Sequence, residues 1–359
     1  MTKVEIENRL RQFIEPHYGV DLMTAKAIKS IEIDGENVHL VVELGFPAQT
    51  YLETLKSALI SHLKSMATMG EISVEIKVKI VIHAVQQNVK LIPNVKNIIA
   101  VASGKGGVGK STTAVNLALA LAKEGAKVGI LDADIYGPSV PMMLGLSGKP
   151  ESFDNKTMQP KVAYGVQTMS IGYLVAEDQA LIWRGPMVTS ALQQLLKETQ
   201  WEALDYLVID LPPGTGDIQL TLAQNVPVSG AIIVTTPQDI ALLDAQRGFG
   251  MFEKVNVPVL GLVENMSLHI CSQCGHEEAI FGSGGGAAMS EINKIDCLGQ
   301  LPLDIDIRLH ADSGEPIVVA QPDSRIADIY LEIARKMTAK LALKPKDFSS
   351  KFPDIVVRN

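Results

Sequence analysis

Residues 104–111 read Gly104-Lys105-Gly106-Gly107-Val108-Gly109-Lys110-Ser111, which satisfies the spacing G-x-x-x-x-G-K-[ST]. Such a loop serves phosphate binding. Its glycines let backbone N–H groups converge on phosphate oxygens, and a helix opening at Ser111 adds the partial positive charge of its N-terminus. Lys110 then reaches the β- and γ-phosphates of a nucleotide, and the hydroxyl of Ser111, followed by Thr112, ligates Mg²⁺. Carboxylates stand where this chemistry needs them. Asp210 ends the apolar run Tyr206-Leu207-Val208-Ile209 and would join the Mg²⁺ shell, and Asp132-Ala133-Asp134 follows another apolar run, 127–131. Ligands of open α/β folds collect at such strand ends. Each aspartate could instead be a helix cap or turn residue, and Lys105 could be a solvated surface lysine. The stiff stretch Leu211-Pro212-Pro213-Gly214-Thr215-Gly216-Asp217 suits a loop that senses a γ-phosphate.

Two further clusters decide base and cargo. A guanine reader needs N-K-x-D after a strand, and Asn293-Lys294-Ile295-Asp296 instead follows a helical stretch. The slot after strand 259–263 holds Asn265, in Glu264-Asn265-Met266-Ser267, with Leu268 in place of the guanine-specific carboxylate, so adenine is expected. Downstream lies Cys271-Ser272-Gln273-Cys274, flanked by His269 and His276. A redox dithiol, a zinc knuckle, a pair of core cysteines and an iron–sulfur site compete for this pair. A [4Fe–4S] cluster wants four thiolates, and a two-fold dimer would double two to four. Cys297 lies in an apolar strand and reads as a buried small hydrophobe.

The elements that must hold these residues fall into two rhythms. In residues 1–82, alternating runs 27–34 and 37–44 joined at Asp34-Gly35-Glu36 predict a hairpin. A helix is expected over 48–66, and Ile72, Val74, Ile76, Val78 and Ile80 alternate as a strand over 71–82. Together these make a small α+β domain. Residues 83–97 read as a linker, 98–343 as the phosphate-loop domain, and 344–359 as a poorly ordered tail. In the large domain, strands at 98–102, 127–131, 206–209, 231–234 and 259–263 alternate with helices at 111–124, 240–254 and 326–340. Continuous apolar strands alternating with helices predict an α/β P-loop fold, its mostly parallel sheet covered on both faces.

Composition narrows the function class. The 359 residues carry 32 Lys plus Arg against 40 Asp plus Glu, a net charge of −8 that argues against nucleic acid or an anionic membrane as the main partner. No apolar run is long enough to span a bilayer and the first residues have no signal-peptide core, so a soluble, cytoplasmic protein is expected. Three cysteines suit a reducing compartment.

The loop K-G-G-V-G-K-S-T resembles the deviant Walker A of MinD/ParA-class ATPases, in which the first lysine reaches a partner's nucleotide; this implies a homodimer and that role for Lys105. Adding D-A-D-I-Y-G-P-S (132–139), W-R-G-P-M (183–187), D-L-P-P-G-T-G-D (210–217), E-N-M-S (264–267), C-S-Q-C-G (271–275) and I-F-G-S-G-G (280–285), the chain resembles the Mrp/ApbC family of iron–sulfur cluster carriers. That resemblance implies a dimeric ATPase whose Cys271 and Cys274 bind a cluster for transfer to apo-proteins, received from an assembly scaffold. It also implies that Asp134 positions the attacking water and Asp210 acts through Mg²⁺. A MinD/ParA-like positioning ATPase and a zinc-binding adaptor are the alternatives. The first ninety residues are similar to a small iron–sulfur assembly domain that usually carries a cysteine; here Leu44-Gly45-Phe46-Pro47-Ala48-Gln49 has none, which suggests a docking role.

Overall fold

The computed structural model describes residues 2–64, 70–87, 89–154, 156–175, 185–271 and 273–347. Trp183, Arg184, Ser272, the end of the helix expected to Met66 and most of the expected tail lie outside the described residues.

The N-terminal unit runs α1 (Lys3–Leu10), the short strands β1 (Ile14–Glu15) and β2 (Val20–Asp21), β3 (Ile28–Asp34), β4 (Asn37–Leu44), α2 (Leu52–Lys64) and β5 (Ile72–Val78). β3 and β4 form the expected hairpin, with Asp34 opposite Asn37 and Gly35 in the left-handed region that its two-residue turn requires. β5 adds parallel to β4. Its alternation stops at Val78, and residues 79–82 are not strand. Leu55, Leu59 and Leu63 of α2 close the core over Leu40, Val42 and Leu44.

The larger unit begins with β6 (Val95–Ala102), α3 (Lys110–Lys123), β7 (Val128–Asp132) and the single turn α4 (Val140–Met143). It continues through β8 (Lys161–Ala163), β9 (Val166–Ser170), α5 (Gly185–Glu198), β10 (Leu204–Asp210) and α6 (Asp217–Asn225). Next come β11 (Gly230–Thr235), α7 (Asp239–Lys254), β12 (Val259–Glu264), and the two-residue strands β13 (His269–Ile270) and β14 (Glu277–Glu278). Then follow α8 (Gly285–Asn293), β15 (Cys297–Gln300), α9 (Ile305–Asp312), α10 (Ile317–Ala320) and α11 (Arg325–Ala342). Among the described residues one sheet holds eight strands in the order β15-β12-β11-β6-β10-β7-β9-β8, parallel except for the edge strand β8. Two apolar cores, one on each face, bury strands and helices alike. The α/β P-loop fold expected from the strand–helix rhythm is the fold observed.

β6 lies at the centre, β7 and β9 on one side and β11 and β12 on the other, so its carboxyl end opens at the switch point of the sheet. Two expected boundaries differ. β6 starts at Val95, two residues before the end of the expected linker, and inside that stretch His83 is buried with Nδ1 against Asn97 Oδ1 at 2.9 Å. Residues at the start of the expected tail pair with its beginning and with the residue before it: Ala84 N–H donates to Pro345 O and Asp347 N–H to Ile82 O, both at 3.0 Å. A polar stretch lacking periodicity can still be ordered when its backbone groups find partners.

Candidate functional site

The loop after β6 turns back under its own helix. Val108 is buried in the core below α3 and anchors the loop there. Gly109, at φ +79° immediately before α3, takes a left-handed conformation, and a Cβ there would run into the Asn265 carboxamide, so only glycine fits on both counts. At Gly104 a Cβ would run into the backbone of Asp244 in α7, so sheet and helix close only around glycine. Lys105, Gly106, Gly107, Lys110, Ser111 and Thr112 line a cleft of about 220 Å³, together with Asp134 and Pro213.

Lys110 opens α3 and is only 6% exposed. Its Nζ sits 2.5 Å from Asp210 Oδ1, 3.2 Å from Ser111 Oγ and 3.8 Å from Asp134 Oδ2. Parallel pairing of β10 with β6 and β7 sets Asp210 beside Val101 and Asp132, which explains how residues a hundred positions apart meet. Asp210 is fully buried, and among the described residues its Oδ2 has no hydrogen-bond partner. A buried, unsatisfied carboxylate oxygen costs free energy unless something binds it. With Ser111 Oγ also within 3.2 Å of Lys110 Nζ, these oxygens fit a hard divalent cation such as Mg²⁺.

Burial raises the Asp134 carboxyl above its ordinary value; Lys110 opposes the rise and Asp210 adds to it. Asp132 differs. Its Oδ1 accepts from Asp134 N–H at 3.1 Å, and its Oδ2 accepts from Ser170 Oγ at 3.1 Å and Val140 N–H at 3.2 Å. Burial first, then the Asp210 charge, pushes its carboxyl well up. Asp132 therefore shapes the turn that presents Asp134 to the cleft.

Beyond β12, Asn265 Nδ2 donates to Val108 O at 2.9 Å, which locks its amide onto the phosphate loop. The cysteine pair stands on another element, the tip of the β13–β14 hairpin. Cys271 N–H donates to His276 O at 2.9 Å and Gly275 N–H to Cys271 O at 2.8 Å, closing the turn; Cys271 is half-exposed and Cys274 exposed. Backbone N–H groups of Gln273 and Cys274 hold the Cys271 thiol below its ordinary value. His269 Nδ1 lies 3.1 Å from Leu303 O, so that nitrogen already has a partner. Cys297, expected to be buried, is half-exposed on the edge strand β15, its Sγ directed at Gly299 O, and burial raises its thiol.

Residues 94–338 match the family described as NUBPL iron-transfer P-loop NTPase, and residues 3–75 match an iron–sulfur cluster assembly protein family. The chain belongs to the iron-transfer P-loop NTPases. Over 338 residues it is 51% identical to the iron–sulfur cluster carrier protein of Haemophilus influenzae, covering 94% of this chain and 91% of that protein. It is 53% identical over 259 residues to the mouse iron–sulfur cluster transfer protein NUBPL, covering 72% of this chain and 81% of that one. Among solved structures, a nucleotide-binding protein from Archaeoglobus fulgidus in complex with ADP aligns with a TM-score of 0.58 at 37% identity, covering 66% of this chain and 92% of that chain. The cell-division ATPase MinD of Pyrococcus furiosus aligns with a TM-score of 0.50 at 22% identity, covering 67% and 98%, a likeness of fold alone.

In this iron-transfer P-loop NTPase, Asn293-Lys294-Ile295-Asp296 joins α8 to the amino end of β15, the edge of the sheet opposite the phosphate loop. Asp296 instead pairs with Lys340 at 2.5 Å. Two residues of the neighbourhood were missed in the sequence. Gln219 donates from Nε2 to the carbonyls of Pro212 and Pro213, fixing the loop after Asp210. Glu264, only 1% exposed, accepts from Gly286 N–H and Gln300 Nε2. An acidic residue ending an apolar strand was the available signal for it.

Proposed function

We propose that this chain is an ATP-hydrolysing carrier that holds an iron–sulfur cluster between two copies of itself and passes it to apo-proteins in the cytoplasm. The observation that carries the reading is a Cys-x-x-Cys at an accessible hairpin tip, on the same chain as a phosphate loop with its lysine and aspartates assembled. The thiolate, not the thiol, ligates iron, and a lowered Cys271 thiol favours that form. One protomer offers two closely spaced thiolates, and a two-fold pair offers the four that a [4Fe–4S] cargo wants.

On the nucleotide side, the backbone of Gly104 through Gly109 cradles the phosphates, and Lys110 moves from Asp210 to the β- and γ-phosphate oxygens. Ser111 Oγ and Asp210 Oδ2 would hold Mg²⁺, which when bound neutralises phosphate charge. Thr112 lines the same cleft. Asp134 orients the attacking water, and Lys105, half-buried at the cleft, reaches the partner's nucleotide. Asn265, its Nδ2 committed to Val108, can accept from adenine's amino group through Oδ1. The docked N-terminal unit, without a cysteine of its own, serves recognition of partner proteins or of the assembly scaffold.

The test is iron and acid-labile sulfide in protein purified without oxygen. The carrier reading expects both in equal amounts. Zinc without sulfide would replace it with an adaptor, and neither metal would leave a positioning ATPase.

A further inference from the structure

The end of β12 touches both halves of the site. Successive extended residues point opposite ways, and here the last side chain of β12, Glu264, and the one just beyond it, Asn265, serve different neighbours. Asn265 holds Val108 O of the phosphate loop, whereas the Glu264 carboxylate accepts from Gly286 N–H in the first turn of α8 at 2.5 Å. Gln300 Nε2 fixes the other Glu264 oxygen at 2.8 Å, and a Cβ on Gly286 would run into this carboxylate. The segment from Ser267 to Gly284 carries the cysteine hairpin. Its start is tied down by Ser267, whose N–H and Oγ both donate to Leu301 O at 3.0 and 2.9 Å, and its end is tied down by Glu264. The end root is thus held by Glu264 itself, and the start root, which follows β12 directly, is held by Leu301, whose own N–H donates to Glu264 O at 2.8 Å. Between Asn265 and Ser267, Met266 holds φ at 55°, a left-handed conformation uncommon for a long side chain.

Resting on the reading that the phosphate loop takes ATP and the cysteines take the cargo, we infer that Glu264 is a positioning residue that couples the two, with Met266 as the pivot. Nucleotide on the loop pulls at Val108 and therefore at Asn265. Glu264 shares that backbone and shifts the root of α8, which changes how the hairpin presents Cys271 and Cys274. A ligand moves such an equilibrium only by binding its two arrangements unequally, and the joint at Asn265 supplies the difference.

The full chain, reduced and without iron, tests this through the alkylation rates of Cys271 and Cys274. Iodoacetamide is the probe, read by mass spectrometry with and without Mg²⁺ and a non-hydrolysable ATP analogue. The native chain should change rate by about fivefold or more on adding the analogue. Glu264→Gln should bind the analogue as tightly as the native chain yet lose that change, which a merely structural loss would not produce. Met266→Gly keeps every side-chain bond of the joint while loosening the pivot, so it too should blunt the response, and it decides the matter if Glu264→Gln fails to fold. An unresponsive native chain, or a full response in the folded variants, overturns the coupling. Because no cluster enters the assay, failure of the carrier reading would show separately, as iron retained after both cysteines are removed.

Discussion

At the scale of single residues, the site depends on Lys110 and Asp210, a buried pair in which each is the other's nearest charge. Lys110→Ala should lower ATP hydrolysis by about a hundredfold or more, since on the proposed reading it removes the charge that meets the transferring phosphate. A steady-state assay on protein that still melts cooperatively checks this, and native turnover in the variant would displace the phosphate loop from the site. Base choice is also a residue-scale matter. Asp296 faces Lys340 on the far edge of the sheet, so Asp296→Ala should leave the proposed preference for ATP over GTP as it is in the native chain, in competition binding. A shift of that preference would bring Asn293-Lys294-Ile295-Asp296 back as the base reader. The phosphate loop was legible because its chemistry fixes residue types at fixed spacing. Asp132 was legible as a carboxylate of the site, but its turn-holding role and the role of Glu264 were not, because that work is done by hydrogen bonds to Val140, Ser170 and Gly286, residues that only the folded sheet brings near.

At the scale of elements, buried parallel strands were read easily as apolar runs, and β9 was missed because Thr168 and Ser170 interrupt it. Both are buried and bonded, Thr168 to Tyr173 Oη at 2.7 Å and Ser170 to Asp132, so their polarity is satisfied inside. The junction between the N-terminal unit and the rest was equally invisible, since it is built from single polar residues far apart in sequence. Glu124, just after the phosphate-loop helix, accepts from Arg335 Nε at 2.9 Å and from Thr50 N–H at 3.0 Å. Arg335 also pairs with Glu332 at 2.8 Å, and Glu332 with His17 Nε2 at 3.2 Å. His17 Nδ1 lies 2.8 Å from the fully buried Glu15, and the ring packs edge-on to Tyr51. Burial works against charge on His17, but the carboxylates of Glu15 and Glu332 outweigh it and its value is raised above 6.5. A raised folded value means that the stabilisation is fully present below the unfolded value, 6.5, and is lost as pH rises through the folded one. His17→Gln should therefore cost most stability in mildly acidic buffer, and its deficit in Tm should shrink steadily above neutrality. A deficit independent of pH would mean that His17 acts there by shape alone.

At the scale of the whole molecule, the two ligand sites ask for the same assembly from opposite directions. The two hairpin thiols of one chain cannot complete a four-thiolate set, and Lys105 lines the cleft of its own chain, from where the proposed reading has it serve a neighbour's nucleotide. If one cluster bridges two copies, loading must drive association, because the bridged cluster exists only in the pair. Anaerobic reconstitution should then give about four iron and four sulfide per dimer, and gel filtration should show the dimer fraction rising with iron content at fixed protein concentration. Cys271→Ala and Cys274→Ala should each lose both the iron and the iron-dependent association while still binding ATP, since the phosphate loop is a separate element. Cys297→Ala should load and associate as the native chain does: its thiol sits on the edge strand β15 with a raised value and turns to Gly299 O, away from thiolate chemistry. Loading that requires Cys297 but tolerates loss of Cys274 would rule out the symmetric bridge, because the thiols left on the hairpins could not supply four ligands. Iron bound at full occupancy by a species that stays monomeric would do the same by a different route, since it would place all the ligands on one chain.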